Sequence, residues 1–243
     1  MNIGVFADIH ANLPAFGKVV EFLKGKVDGF VCCGDIVGYG PHPNECIEML
    51  QGLENAYTVC GNHDLGVIGV EDIKKFSEDA AAGIKWTMGK LTDSSRSFLS
   101  GLERKITGDN FTAVHGSLID PVEQYVASVP DYIPSLKAQE KSLVFNGHTH
   151  RPLYFRAAEE NVSSGFFNPG SPVKISDGSK YFINVGAVGQ PRDGDPRASC
   201  VIYDGDAGTV TLYRLEYDIK STQDDMRKTD SPLFLIERLG AGV

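Results

Sequence analysis

What the 243-residue sequence lacks narrows its class before any motif is found. No apolar run approaches the ~18 residues that a membrane-spanning helix needs. The opening MNIGVFADIH has no basic stretch ahead of its apolar residues, which argues against a secretory leader. There is no CxxC pair, and the five cysteines (Cys32, Cys33, Cys46, Cys60, Cys200) are odd in number. They read as small buried hydrophobes in a reducing compartment rather than as a disulfide framework. Basic residues are in deficit, 23 Lys and Arg against 32 Asp and Glu, a formal net charge of −9. That deficit excludes a general affinity for nucleic-acid backbones. Small anionic substrates remain open, because a bound metal adds positive charge that a residue count omits. Repeats and low-complexity tracts are also missing. The expectation is a cytoplasmic, soluble protein with no membrane partner and an oligomeric state left open.

What is present is ordinary for a globular chain: 42% hydrophobic and 23% charged residues, with length for one domain that buries its own core. The first 65 residues alternate strand and helix signals. Ile3, Val5 and Ala7 form an apolar strand ending at Asp8. Asn12 then serves as an N-cap with Pro14 in the first turn, and Phe16, Val19, Val20 and Leu23 recur at helical spacing. Gly29–Cys33 reads as a second strand whose neighbouring Cys32 and Cys33 face opposite ways. A helix near Asn44–Leu50 and a strand at Tyr57–Cys60 follow. Residues 66–108 read as a helical insertion beside the site, with Phe76, Ala80, Ile84 and Met88 as its apolar stripe and Trp86 as core. Beyond Phe111 the chain turns β-rich, and Leu233–Ile236 suggests a helix docked near the end. The whole is expected to be a single domain over residues 1–243.

Each of the early strands stops at a polar cluster: Asp8-Ile9-His10, Gly34-Asp35, Gly61-Asn62-His63-Asp64, Val114-His115-Gly116 and Gly147-His148-Thr149-His150. Taken singly, these are ordinary turn and cap sequences. Together they hold five of the six histidines, each beside a strand end, where βαβ folds gather their sites. Imidazole with carboxylate is the donor set of Mn, Fe, Co, Ni and Zn. Two-residue spacing in extended chain puts Asp8 with His10, and His148 with His150, on one face each.

The ordered set resembles the calcineurin-like metallophosphoesterases, whose pattern runs DxH, GDxxxxG, GNHD or GNHE, a later His, then GHxH. The resemblance covers residues 8 to 150. It implies an α/β fold, a four-layer α/β sandwich of two mixed β-sheets flanked by helices. It also implies two divalent ions, with Mn favoured over Fe, Zn, Co or Ni: one held by Asp8, His10 and His150, the other by Asn62, His115 and His148. Asp35 would bridge them, its two oxygens spanning the pair. A hydroxide held between the ions would attack phosphorus, and His63, outside the ligand set, would be the general acid.

The chain departs from the family's protein phosphatases. Gly38-Tyr39-Gly40 stands where they carry Asp-Arg-Gly, and Cys60 stands where an arginine precedes Gly-Asn-His. Their phosphate-binding arginines and the acid that orients the catalytic histidine are thus missing. Substitute contacts are sought in Arg192, on the long Gly- and Pro-rich loop Asn184–Arg197, and in Tyr39 and His42 just past Asp35. Arg151, next to a proposed ligand, reads equally as support or as surface. The expected activity is hydrolysis of a small phosphate ester, a phosphodiester before a monoester. Alternatives are dinucleoside polyphosphate hydrolysis, phosphomonoesterase or protein phosphatase activity, and a non-catalytic scaffold.

Overall fold

The computed structural model describes all 243 residues. Two six-stranded sheets face each other between helices. The first contains β1 (Asn2–Phe6), β2 (Gly29–Cys32), β3 (Ala56–Thr58), β9 (Pro172–Lys174), β11 (Ala198–Asp204) and β12 (Thr209–Leu215), in the order β3-β2-β1-β11-β12-β9. The second contains β4 (Lys105–Thr107), β5 (Phe111–Val114), β6 (Leu143–Asn146), β7 (Leu153–Ala158), β8 (Asn161–Phe166) and β10 (Lys180–Asn184), in the order β4-β5-β6-β10-β7-β8. In the first sheet β1, β2 and β3 run parallel, and so do β5 and β6 in the second. Antiparallel pairs complete both sheets, which are therefore mixed.

Side-chain alternation explains the layering. Ile3, Val5, Val31, Cys33, Phe145 and Ile183 point between the sheets, while Phe6 and Cys32 point outward onto α1 (Leu13–Leu23) and α2 (Pro43–Gln51). Cys32 and Cys33 thus face opposite ways, and all five cysteines are buried and unpaired. The second sheet's outer face packs Val144, Phe155 and Phe182 on Tyr132 of α6 (Val129–Ala138). Asn12 caps α1, its Oδ1 accepting from the Ala15 N–H at 3.3 Å, and Gly25 at φ +75° turns the chain away after it.

Between β3 and β4 lie α3 (Asn62–Val67), a short 3₁₀ turn at Ile73–Lys75, α4 (Glu78–Met88) and α5 (Asp93–Ser100). The expected helical character stops at Gly101, and Lys105–Thr107 is an edge strand antiparallel to β5. With only Ile106 turned inward, that strand carries too little pattern to read from sequence. At the C-terminus α7 (Ile219–Met226) and α8 (Leu233–Ala241) pack together, and α7 also meets α1. No helix is long and apolar enough to cross a membrane.

Candidate metal centre

Because β1, β2 and β3 run parallel, and β5 and β6 do too, their carboxyl ends bring the polar clusters to one edge of the sandwich. Asp8 and His10 follow β1, Asp35 follows β2, Asn62 and His63 open α3, His115 follows β5, and His148 and His150 follow β6. All eight are buried. Their donor atoms form two groups, Asp8–His10–Asp35–His150 and Asp35–His115–His148, with the atoms of each within 4.8 Å of one another.

Contacts across these groups leave no room for apolar filling. His10 Nε2 lies 3.1 Å from His150 Nε2, and His115 Nε2 lies 3.0 Å from His148 Nδ1. The two groups meet at one oxygen. Asp35 Oδ2 is 3.6 Å from His10 Nε2 and 3.3 Å from His115 Nε2, whereas Oδ1 accepts from the His63 N–H at 2.9 Å. The expectation that both Asp35 oxygens span the pair is therefore corrected: Oδ2 alone faces both groups.

Each of these histidines presents its outer ring nitrogen to a backbone carbonyl. His10 Nδ1 meets Val37 O at 3.1 Å, His115 Nδ1 meets Cys33 O at 2.8 Å, His150 Nδ1 meets Gln190 O at 2.6 Å and His148 Nε2 meets Glu123 O at 3.0 Å. An outer N–H that donates to a carbonyl leaves the inner nitrogen's lone pair aimed at the centre, the arrangement of metal-ligating imidazoles. Asn62 Oδ1 is buried and accepts no hydrogen bond. An orphaned neutral oxygen beside four lone-pair nitrogens and two carboxylates suits divalent cations.

Electrostatics agree with that reading. Burial holds His10 and His150 well below the usual histidine range, and it presses His148 down to about 3. Burial also pushes Asp8 up to about 8. Against the same desolvation, the Asp35–His115 pair stays ionised while no cation is bound: the carboxylate is held low by the imidazole, which rises to about 9. A cation bound there would take the place of the inner proton and recover that lone pair. A site that is neutral or paired without a cation is ready to receive one.

Backbone strain marks the same residues. Nine non-glycine residues adopt positive φ, and five of them are Asp8, His10, Asp35, His148 and His150. Left-handed backbone costs on the order of 1–3 kcal/mol at a non-glycine residue and persists where the surroundings over-determine it. Gly61 has a different role. A Cβ there would overlap the Asp35 carboxylate, so only glycine lets α3 come this close.

His63 stands apart from both groups. Its ring sits between Tyr39 (4.5 Å), His10 (4.8 Å) and Phe76 (5.3 Å), and its Nδ1 has no partner. No carboxylate orients it; Gly38, at φ +88°, lies against the ring where a Cβ would clash. Burial lowers it to about 4, so the imidazole is neutral near pH 7. Asp64, given no role by its motif, is the brace of this corner. Its Oδ1 accepts from the Ile36 and Val37 N–H groups at 2.9 and 3.1 Å, and its Oδ2 from Gly61 at 2.9 Å. It thereby ties the Asp35 loop to the start of α3.

Beside the centre opens a cavity of about 250 Å³, with Tyr39, Asn62, His63, His148 and Arg192 in its lining. Arg192 Nη2 contacts Gln190 Oε1 at 2.8 Å and Tyr39 Oη at 3.4 Å, and its Nε is buried without a partner. Arg151 Nε donates to the Arg192 carbonyl at 2.8 Å and steadies that loop. His42 is a correction. It precedes α2 and pairs with Asp225 of α7 at 3.0 Å, and it takes no part in the cavity lining. Phe76 packs against the core as expected and also against His63, lining the cavity. Trp86, expected as core, is half-buried with Lys90 over its ring and belongs to no core cluster. Tyr125, stacked on His148 at 3.8 Å, and Arg238 of α8 also line it, and neither carries a local motif that would mark it.

The sequence model of the calcineurin-like phosphoesterase superfamily domain matches residues 1–208. An uncharacterized protein of Methanocaldococcus jannaschii, MJ0912, is 36% identical over 245 residues, spanning 99% of this chain and 98% of that protein. The crystal structure of a metallophosphoesterase from Sphaerobacter thermophilus is 40% identical and superposes with a TM-score of 0.90, over 100% of this chain and 99% of its own. The hypothetical protein PH1004 from Pyrococcus horikoshii OT3 is 21% identical with a TM-score of 0.81, over 100% of this chain and 98% of its own, a likeness of fold.

Proposed function

The chain belongs to the calcineurin-like phosphoesterase superfamily, and from that premise we propose that it hydrolyses small phosphate esters at a centre of two divalent cations. The observation that carries this reading is the pair of donor groups sharing Asp35 Oδ2, with Asn62 Oδ1 left unpartnered beside them. Asp8, His10 and His150 would hold one cation, Asn62, His115 and His148 the other, and Asp35 both. Mn²⁺ is the favoured ion among those that nitrogen and oxygen donors accept. Bound there, the cations would neutralise phosphoryl charge and lower the pKa of a coordinated water.

The chain's own groups supply the rest. His63 stands outside the donor groups with its ring toward the cavity, and it donates to the leaving oxygen. Arg192 grips non-reacting phosphoryl oxygens, its charge felt at Asp8, His10, His63 and His150. Tyr39 backs His63 and accepts from Arg192, holding both in place. A phosphodiester is the favoured substrate. A single guanidinium so near the centre suits its single negative charge, and the rings of Tyr39, Phe76 and Tyr125 wall a space for its second substituent. The test is an assay of Mn²⁺-loaded protein against a chromogenic monoester, a chromogenic diester and diadenosine tetraphosphate in parallel. The diester is expected to turn over fastest; no turnover of any of the three would sink the proposal.

A further inference from the structure

Two guanidiniums line the cavity in a chain of net charge −9, and neither is within ion-pair distance of a carboxylate, although Glu123 lines the same cavity. The guanidinium ion pairs of the protein belong to Arg197, Arg214 and Arg227; neither Arg192 nor Arg238 takes part in one. Like charges brought together in a partly desolvated space oppose folding unless something bound there compensates. Burial and then the Arg192 charge hold Arg238 below its usual range.

Arg238 is held firmly where it stands. Leu235, Ile236 and Leu239 of α8 pack on Met226 and Tyr39, and Gln223 Nε2 donates to the Ile236 carbonyl at 2.8 Å. The Gly194 N–H donates to the Gly242 carbonyl at 2.9 Å, fastening the end of α8 to the loop that carries Arg192. Within that frame the Arg238 Nε donates to the Val243 carbonyl and the guanidinium lies 5.0 Å from the Phe234 ring centre. Its two Nη groups make no hydrogen bond to protein and reach solvent, whereas Arg192 keeps a buried, unpartnered Nε.

The two arginines stand at different depths. Arg192 acts on the candidate ligands, whereas the charged or titratable groups that act on Arg238 are Arg192, Tyr39 and Asp79. Tyr39 separates Arg238 from the centre, since its ring packs on His10 and His63 on one side and on α8 on the other. We infer that Arg238, with Arg192, forms a second anion subsite outward of the reaction centre, taking a phosphoryl group on the substrate's far arm. Two forked guanidiniums suit a dianion with three oxygens better than a carboxylate, which one fork satisfies. Arg238 comes from a helix beyond residues 1–208, the part of the chain that matches the family, whereas Arg192 lies within that part.

This inference rests on the phosphoesterase reading for its geometry, and its test does not need turnover. Calorimetry would compare 1,3-propylenediphosphonate with propylphosphonate on the Mn²⁺-loaded protein; neither P–C bond is hydrolysed. The diphosphonate should bind about tenfold tighter or more, the effect of a charge-assisted hydrogen-bonded contact. Arg238→Gln should reduce that preference to about twofold or less with propylphosphonate affinity kept, and Arg238→Lys should restore part of it. Equal affinity of the two probes for the unmodified protein would overturn the subsite without any variant. Equal weakening of both probes by Arg238→Gln would also overturn it, assigning Arg238 to the inner phosphoryl group or to structure alone. Turnover of the chromogenic esters reports separately on the phosphoesterase reading.

Discussion

Two cavities sit at opposite ends of the same sheets. The larger, about 440 Å³, lies at the amino ends of β1, β2 and β5, lined by Ile3, Phe30, Tyr57, Phe111 and Tyr203 among others. The smaller, about 250 Å³, lies at the carboxyl ends beside the donor groups. Volume favours the first, and chemistry favours the second. Of six buried side-chain atoms without a hydrogen-bond partner, those of Asn62, His63, Glu123 and Arg192 line the smaller cavity and none lines the larger. An unsatisfied buried polar atom opposes folding, so its presence points to a ligand that satisfies it. The amino-end groove is what remains where two twisted sheets splay apart; its polar groups are already engaged, as where Asp28 accepts from the Asn2 N–H at 2.7 Å.

Substitutions at the two ends can sharpen or break this contrast. Asp35→Ala removes the oxygen common to both donor groups and should have the largest effect. Bound cation measured by atomic emission should fall, and turnover should drop on the order of 10³-fold or more, since metal ions contribute several kcal/mol to such reactions. His63→Ala should retain the cations and lose turnover by on the order of 10²-fold. Loss of a cation from that variant would show His63 to be a ligand. Arg192→Ala should raise KM about tenfold with a smaller change in kcat, the loss of one charge-assisted contact in steady-state kinetics. Tyr57→Ala, at the opposite groove and half exposed, should leave kcat/KM within about twofold. A large loss there would mean that the amino-end cavity takes part in function and that the contrast is wrong.

The same contrast explains what the sequence could disclose. The donors at the carboxyl ends were legible from residue type and strand-end position, although the extended backbone expected for Asp8-x-His10 and His148-x-His150 is replaced by left-handed backbone at all four residues. Parallel β1, β2 and β3 then do the assembling. Asp64 was visible in its motif, yet its task of binding three N–H groups exists only once Gly34–Val37 and α3 have met. Arg238 had no local signal whatever: only the docking of α8 on Tyr39 brings it into the cavity. His42 misled for the converse reason, since closeness in sequence to Asp35 said nothing about Asp225, which lies far along the chain and claims it. In the fold, α6 was hidden by Pro134, which sits inside the helix where proline usually argues against one, whereas Pro130 occupies the first turn that tolerates it. The strand β8 was hidden by a polar sequence with most of its residues exposed.

The left-handed backbone at Asp8, His10, Asp35, His148 and His150 bears on how this sequence could be redesigned. A redesign of these strand ends for thermal stability alone would write glycine at such positions, because glycine adopts that conformation without steric penalty. The more faithfully it optimised folding, the more completely it would erase the cation site. Five residues that a stability criterion would discard first are thus the ones whose retention testifies to selection for binding.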